Sequence, residues 1–121
     1  MSDIDTAVAD SLKVLDLKRP IREGHAYFGL QQYDQAIEWE RRAIAINPNV
    51  SSAVVTLAAA LALTGNEAEA RDAEQRRAAL SKVKTVAMLK ALGPPPSADP
   101  RVRATFDRAI EGLRKAGMPE E

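Results

Sequence analysis

Apolar residues recur along this chain at helical intervals, in blocks separated by short polar or proline- and glycine-containing breaks. Ile4, Val8, Leu12 and Leu15 form one stripe, which predicts a helix over residues 3–18 with Asp3 or Asp5 near its start. Pro20 suits the first turn of a second helix, where a missing amide hydrogen costs nothing, and this helix is expected to reach about Leu30. The QQYD segment makes a turn. Tyr33, Ala36, Ile37, Ala43 and Ile44 then give a third helix a face directed back at the second, and Asn47 and Pro48 end it. The stretch from Ser52 to Leu63 is apolar nearly all round. From Glu67 to Leu80 a further helix is predicted, with Asn66 as its cap and Gly65 in the preceding turn. VKTVAMLKAL (residues 83–92) reads as a short helix and GPPPSADP as a loop. Asp99 caps a last helix with Pro100 in its first position, stopped by Gly117 and Pro119.

A helix that is apolar on all sides must be buried on more than one. Either the last helix folds back over Ser52–Leu63 with Phe106 and Ile110, or a second chain covers it. Val102, Phe106, Ile110 and Leu113 line one side of the last helix. Full burial of the four would contribute about 6–12 kcal/mol as an upper bound. Net domain stability is about 5–15 kcal/mol, so this helix is expected to belong to the fold, and a chain lacking residues 97–121 to aggregate or unfold.

One constant shift along the chain carries Gly24 onto Ala58, Tyr27 onto Leu61 and Ala36 onto Ala70, keeping small on small and large on large. Such a period means stacked helical pairs. Gly24, Tyr27, Ala36, Ala43 and Pro48 follow one another at spacings of three, nine, seven and five. In this the chain resembles the tetratricopeptide repeat family. Pro20, Glu23 and Glu40 depart from the family pattern, standing where it prefers an aromatic, a leucine and another aromatic. In the second copy Arg77 and Lys82 replace the later alanine and the closing proline. The resemblance implies an all-α array of antiparallel helical hairpins in one domain over residues 1–121. Its parts are an amino-terminal helix (3–18), a first repeat (20–48), a degenerate second repeat (51–82), a short helix (83–92) and a carboxyl-terminal helix (99–117). The tail EGLRKAGMPEE, after a two-repeat array and an Asp-Pro-started helix, is similar to the end of the tetratricopeptide modules attached to bacterial class III adenylate or guanylate cyclases. The catalytic domain of those enzymes has no counterpart here, so their activity does not carry over. In the repeat family the first helix of each hairpin lines a groove that holds a partner segment. On that likeness Arg22, His25, Phe28, Val55, Thr56, Ala59 and Ala62 face the groove. Ile21 and Ala59 stand where chaperone-binding relatives carry polar groups, which speaks against a receptor for chaperone tails.

Composition narrows the chemistry. With Lys plus Arg and Asp plus Glu both at 17, the chain presents no strong field to nucleic acid or an anionic membrane. The absence of cysteine excludes thiol catalysis, disulfides and cysteine metal sites. The segment MSDIDTAVADSLKV lacks the basic region and apolar core of a secretory signal. The longest apolar stretch, Ala53–Leu63, is well short of the roughly 20 residues that span a membrane. His25, the only histidine, has Glu23 nearby but on another helix face, so it reads as a surface or packing residue. Trp39, with Ala43 and Ile46, reads as a second stripe for packing. Arg41, Arg42, Arg76 and Arg77 are interleaved with Glu38, Glu40, Asp72 and Glu74, as on a solvated, ion-paired face. The expectation is a cytoplasmic, non-catalytic association module without cofactor or metal, binding a protein or peptide and not nucleic acid or membrane. Self-association through the apolar helix is left open. The alternative is a regulatory sensor whose groove takes a small ligand.

Overall fold

The computed structural model describes residues 18–121. The helix expected over residues 3–18 lies outside them except for its last residue. The protein is all-helical, and no strand occurs among the described residues. Residues 18–29 are helical (α1), with Pro20 in the first described turn. There follow α2 (Tyr33–Ile46), α3 (Ser51–Leu63), α4 (Glu67–Leu80), α5 (Val86–Ala91) and α6 (Pro100–Ala116).

The helix ends follow local chemistry. Asp99 accepts a hydrogen bond from the Arg101 amide, and Pro100 opens α6. Thr85 caps α5 through its hydroxyl, which accepts from the Met88 amide. Asn66 behaves otherwise than predicted: its side chain donates to Thr64 Oγ1 and leaves the α4 amides uncapped. Helices α1, α3 and α6 terminate alike, with a left-handed residue and two reversed hydrogen bonds. At α3 the Gly65 amide donates to Ala62 and the Asn66 amide to Leu61. At α6 Gly117 donates to Arg114 and Met118 to Leu113. At α1 Gln31 donates to Phe28 and Gln32 to Tyr27. Gln31 takes φ of 61° there, a conformation in which a side chain is strained and glycine is not. Gly65 is its counterpart in the second helical pair, under the shift that carries Gly24 onto Ala58, and plays the same role.

The core is built on α3, which packs against α2, α4 and α6 at once. Ala58, Ala59, Ala60, Leu61 and Ala62 are all buried. The last helix therefore folds back over the apolar one, the first of the two arrangements its sequence allowed. The approach is close: at Gly112 an added Cβ would lie 2.6 Å from the Ala59 carbonyl oxygen and 2.8 Å from its Cα. Ile110 and Leu113 are fully buried, Phe106 is half-buried, and Val102 is 53% exposed. The contribution of α6 is thus about 3–6 kcal/mol from two complete burials rather than from four. That remains a large share of a domain's net stability. Beyond α6 the chain turns back on α5. The Val86 and Ala87 amides donate to the carbonyls of Pro119 (2.8 Å) and Glu120 (3.0 Å), while Met118 is buried.

The Gly112 contact and the left-handed residues at Gln31 and Gly65 each have a measurable consequence. Gly112→Ala raises helix propensity by about 1 kcal/mol but drives a methyl into backbone that cannot yield. A net loss of about 1–3 kcal/mol is expected in urea denaturation; unchanged stability would contradict the contact. Gln31→Gly relieves the left-handed strain and is expected to add about 0.5–1 kcal/mol, whereas Gly65→Ala loses a similar amount or more.

Candidate functional site

Helix α6 divides the predicted groove. Ala59 lies beneath Gly112, and Ala62 is buried with it, so neither is open to a partner. Arg22 is exposed and stands apart from the remaining hollow. His25 and Phe28 from α1 and Val55 and Thr56 from α3 do come together. They form an open hollow of about 300 Å³, closed on its far side by Val102, Thr105, Phe106 and Ala109 of α6. Val102 and Phe106 were not legible as groove residues, because their stripe reads as core, and Thr105 and Ala109 carry no signal of their own.

The hollow is apolar in effect as well as composition. The Thr56 hydroxyl donates to the Ser52 carbonyl in its own helix (3.2 Å), and the Thr105 hydroxyl to Arg101 (2.9 Å). Both hydroxyl protons are thereby used within their own helices. Arg108 ties α6 to the end of α1 by donating to the Gly29 carbonyl (3.0 Å) and to Thr105 Oγ1 (3.2 Å). His25 supplies the polar edge, with Nε2 3.5 Å from the Ser52 carbonyl oxygen.

Behind His25 lies a group that the sequence did not mark as buried. Glu40 is completely inaccessible, and neither carboxyl oxygen has a hydrogen-bond partner among the described residues. It lies against the bare Cα of Gly24, where an added Cβ would fall 2.0 Å from Oε1. His25 Nε2 is 3.7 Å from the same oxygen. Burial without a compensating charge pushes the Glu40 carboxyl up to about 9. At neutral pH it is therefore a neutral acid.

The second helical pair shows the same position differently furnished. The shift that carries Gly24 onto Ala58 also carries Glu40 onto Glu74 and Ala43 onto Arg77. Glu40, Ala43, Glu74 and Arg77 are all buried. Arg77 grips Glu74 with two bonds, Nε to Oε2 at 2.6 Å and Nη2 to Oε1 at 2.7 Å, and donates a third to the Val83 carbonyl at 2.6 Å. This corrects the reading of Arg77, Glu74 and Glu40 as members of a solvated face. The signal was available in the alignment of the two helical pairs, which places acid on acid and arginine on alanine. Elsewhere on that face Arg42 pairs with Glu38 at 2.6 Å as expected, Arg41 reaches across to Glu69 on α4, and Arg76 and Asp72 are exposed. Trp39 is half-buried beside the guanidinium groups of Arg42 (4.5 Å) and Arg19 (5.8 Å), while Ile46 at the end of its stripe is 41% exposed. Among the described residues no cluster of acidic or histidine side chains is arranged to hold a metal ion, and no helix is long and apolar enough to cross a membrane.

The buried acid has a pH signature. Its folded value of about 9 exceeds its ordinary 4.5, so the folded state holds a proton that the unfolded chain releases. Its contribution to stability is complete below pH 4.5 and is lost as pH rises towards 9. By pH 7 the loss is about 3 kcal/mol. Glu40→Gln should remove most of this slope in denaturation curves between pH 5 and 8; an unaltered slope would show that Glu40 is not the group responsible. In comparisons with known proteins the chain matches no family model, no curated protein and no solved structure.

Proposed function

We propose that this protein is a non-catalytic association module that receives an apolar side chain from a partner protein segment. The observation that carries this reading is the hollow between α1, α3 and α6, lined mainly by apolar side chains and by two threonines whose hydroxyls donate within their own helices. A small-ligand sensor would need an enclosed space with convergent polar groups. This hollow is open and offers one imidazole, which favours a peptide over a metabolite. The pairs α1–α2 and α3–α4 support reading the chain as a tetratricopeptide-like array: both first helices end in a left-handed residue, and buried small residues recur at equivalent places in the two pairs. A regulatory place beside a cyclase-type signalling enzyme rests on the resemblance of the tail. In this structure that tail satisfies the first amides of α5.

Val102 is the residue to alter, since it borders the hollow yet is exposed enough that Val102→Glu should change stability by no more than about 0.5 kcal/mol. Peptides selected from a displayed random library against the unaltered protein should carry a large apolar anchor. They should bind Val102→Glu about tenfold more weakly or worse, as when one buried anchor is lost. Equal binding to the two proteins, or failure to enrich any apolar-anchored peptide, would contradict the proposal.

A further inference from the structure

Two glutamates, Glu40 and Glu74, stand in the same buried position of successive helical pairs, and one of them has its cation. Glu74 is saturated by the fork of Arg77. Glu40 has Ala43 where Glu74 has Arg77, and a methyl group offers it nothing. An unpaired buried carboxyl is costly to keep, and a neutral acid still leaves its acceptor oxygens unused.

We propose that Glu40 is the receptor for a guanidinium group, an arginine side chain carried by the partner segment, and that the His25 ring is the gate through which it arrives. The proposal rests on the hollow being a docking site, because His25 borders both. Three features of the molecule support it. Both buried carboxyl oxygens lack a hydrogen-bond partner among the described residues, and a planar fork fills two such oxygens at once where an ammonium fills them as a point charge. The chain itself uses that fork at the equivalent place in α4. Finally, the gate is lightly held: the His25 side chain is 45% exposed, and Nε2 lies 3.7 Å from Glu40 and 3.5 Å from the Ser52 carbonyl, neither a short bond. In the bound state proposed here the ring turns outwards to admit the guanidinium and offers it a face to stack on. From α1 the titratable group facing Glu40 is His25; the α3 group beside that ring is the Ser52 carbonyl, which does not titrate. The carboxyl, protonated while empty, releases its proton to solvent as the cation enters. A partner segment would thus place an apolar residue on one side of the imidazole and an arginine on the other.

The test uses the full chain with carbon-13 at its glutamate carboxyls, titrated with N-acetyl-arginine amide and, separately, with the citrulline and lysine counterparts. The Glu40 carboxyl and His25 ring signals are followed by NMR. Arginine should move both saturably while Glu74 stays still. Citrulline, the same shape without charge, should bind about tenfold more weakly or not at all, as expected for loss of one charged hydrogen bond. The His25 response should vanish in Glu40→Gln and survive in Val102→Glu, since the probe does not need the hollow. No saturable response in the unaltered chain, an equal response to citrulline, or persistence of the His25 response in Glu40→Gln would overturn the proposal. Lysine binding as tightly as arginine would overturn the guanidinium assignment. Apolar peptides that still bind where arginine does not would sink this proposal alone; an arginine response without apolar peptide binding would sink the docking reading alone.

Discussion

A helix with almost no polar face has to be covered, and in this protein the contact that completes the cover is the passage of Gly112 over the Ala59 backbone. Helices α2 and α4 take two sides of α3, as sequential neighbours joined by short turns do. The third side is reached across a long stretch of sequence by α6. Small residues on both surfaces let the two backbones come together, and Ile110 and Leu113 then fill the space beside them. The hollow exists because the same helix is not covered along its whole length. Near its start α6 diverges enough that Val102 remains exposed while Phe106 still reaches in.

The same use of small residues creates the chemistry at Glu40. Gly24 removes the side chain that would otherwise occupy the space, and the carboxyl settles into it without a donor among the described residues. Most folded proteins pair or solvate such a group. Here the matching position in the next helical pair is paired, by an arginine one turn along the helix. The contrast between the two positions singles out Glu40, since burial is common to both and an unmet carboxyl belongs to one.

The elements were legible in the sequence to the extent that their chemistry is local. Asp99 bounds α6 through its side-chain cap and Pro100 and Gly117 through their backbone preferences, and the bare apolar character of α3 announced a covered helix. Which surface would cover it was a tertiary matter, settled by Gly112, whose missing side chain reads in sequence as mere weakness in a helix. Four of the groove positions, His25, Phe28, Val55 and Thr56, do meet at one hollow. Ala59 and Ala62 do not, because the array is closed there by α6. Glu40 and Arg77 were misplaced for a single reason: charged residues at helical spacing look solvated unless each is aligned with its counterpart in the other helical pair.

Native-state hydrogen exchange tests the central claim, that α3 and α6 form one cooperative core, most directly. The account predicts that the most protected amides in Ala58–Leu61 and in Ile110–Leu113 open with the same free energy and the same denaturant dependence, because neither helix is stable without the other. If the α6 amides instead exchanged through a separate opening of much lower free energy while α3 stayed protected, α6 would be an appendage, and the closure of the fold and the hollow it borders would have to be abandoned.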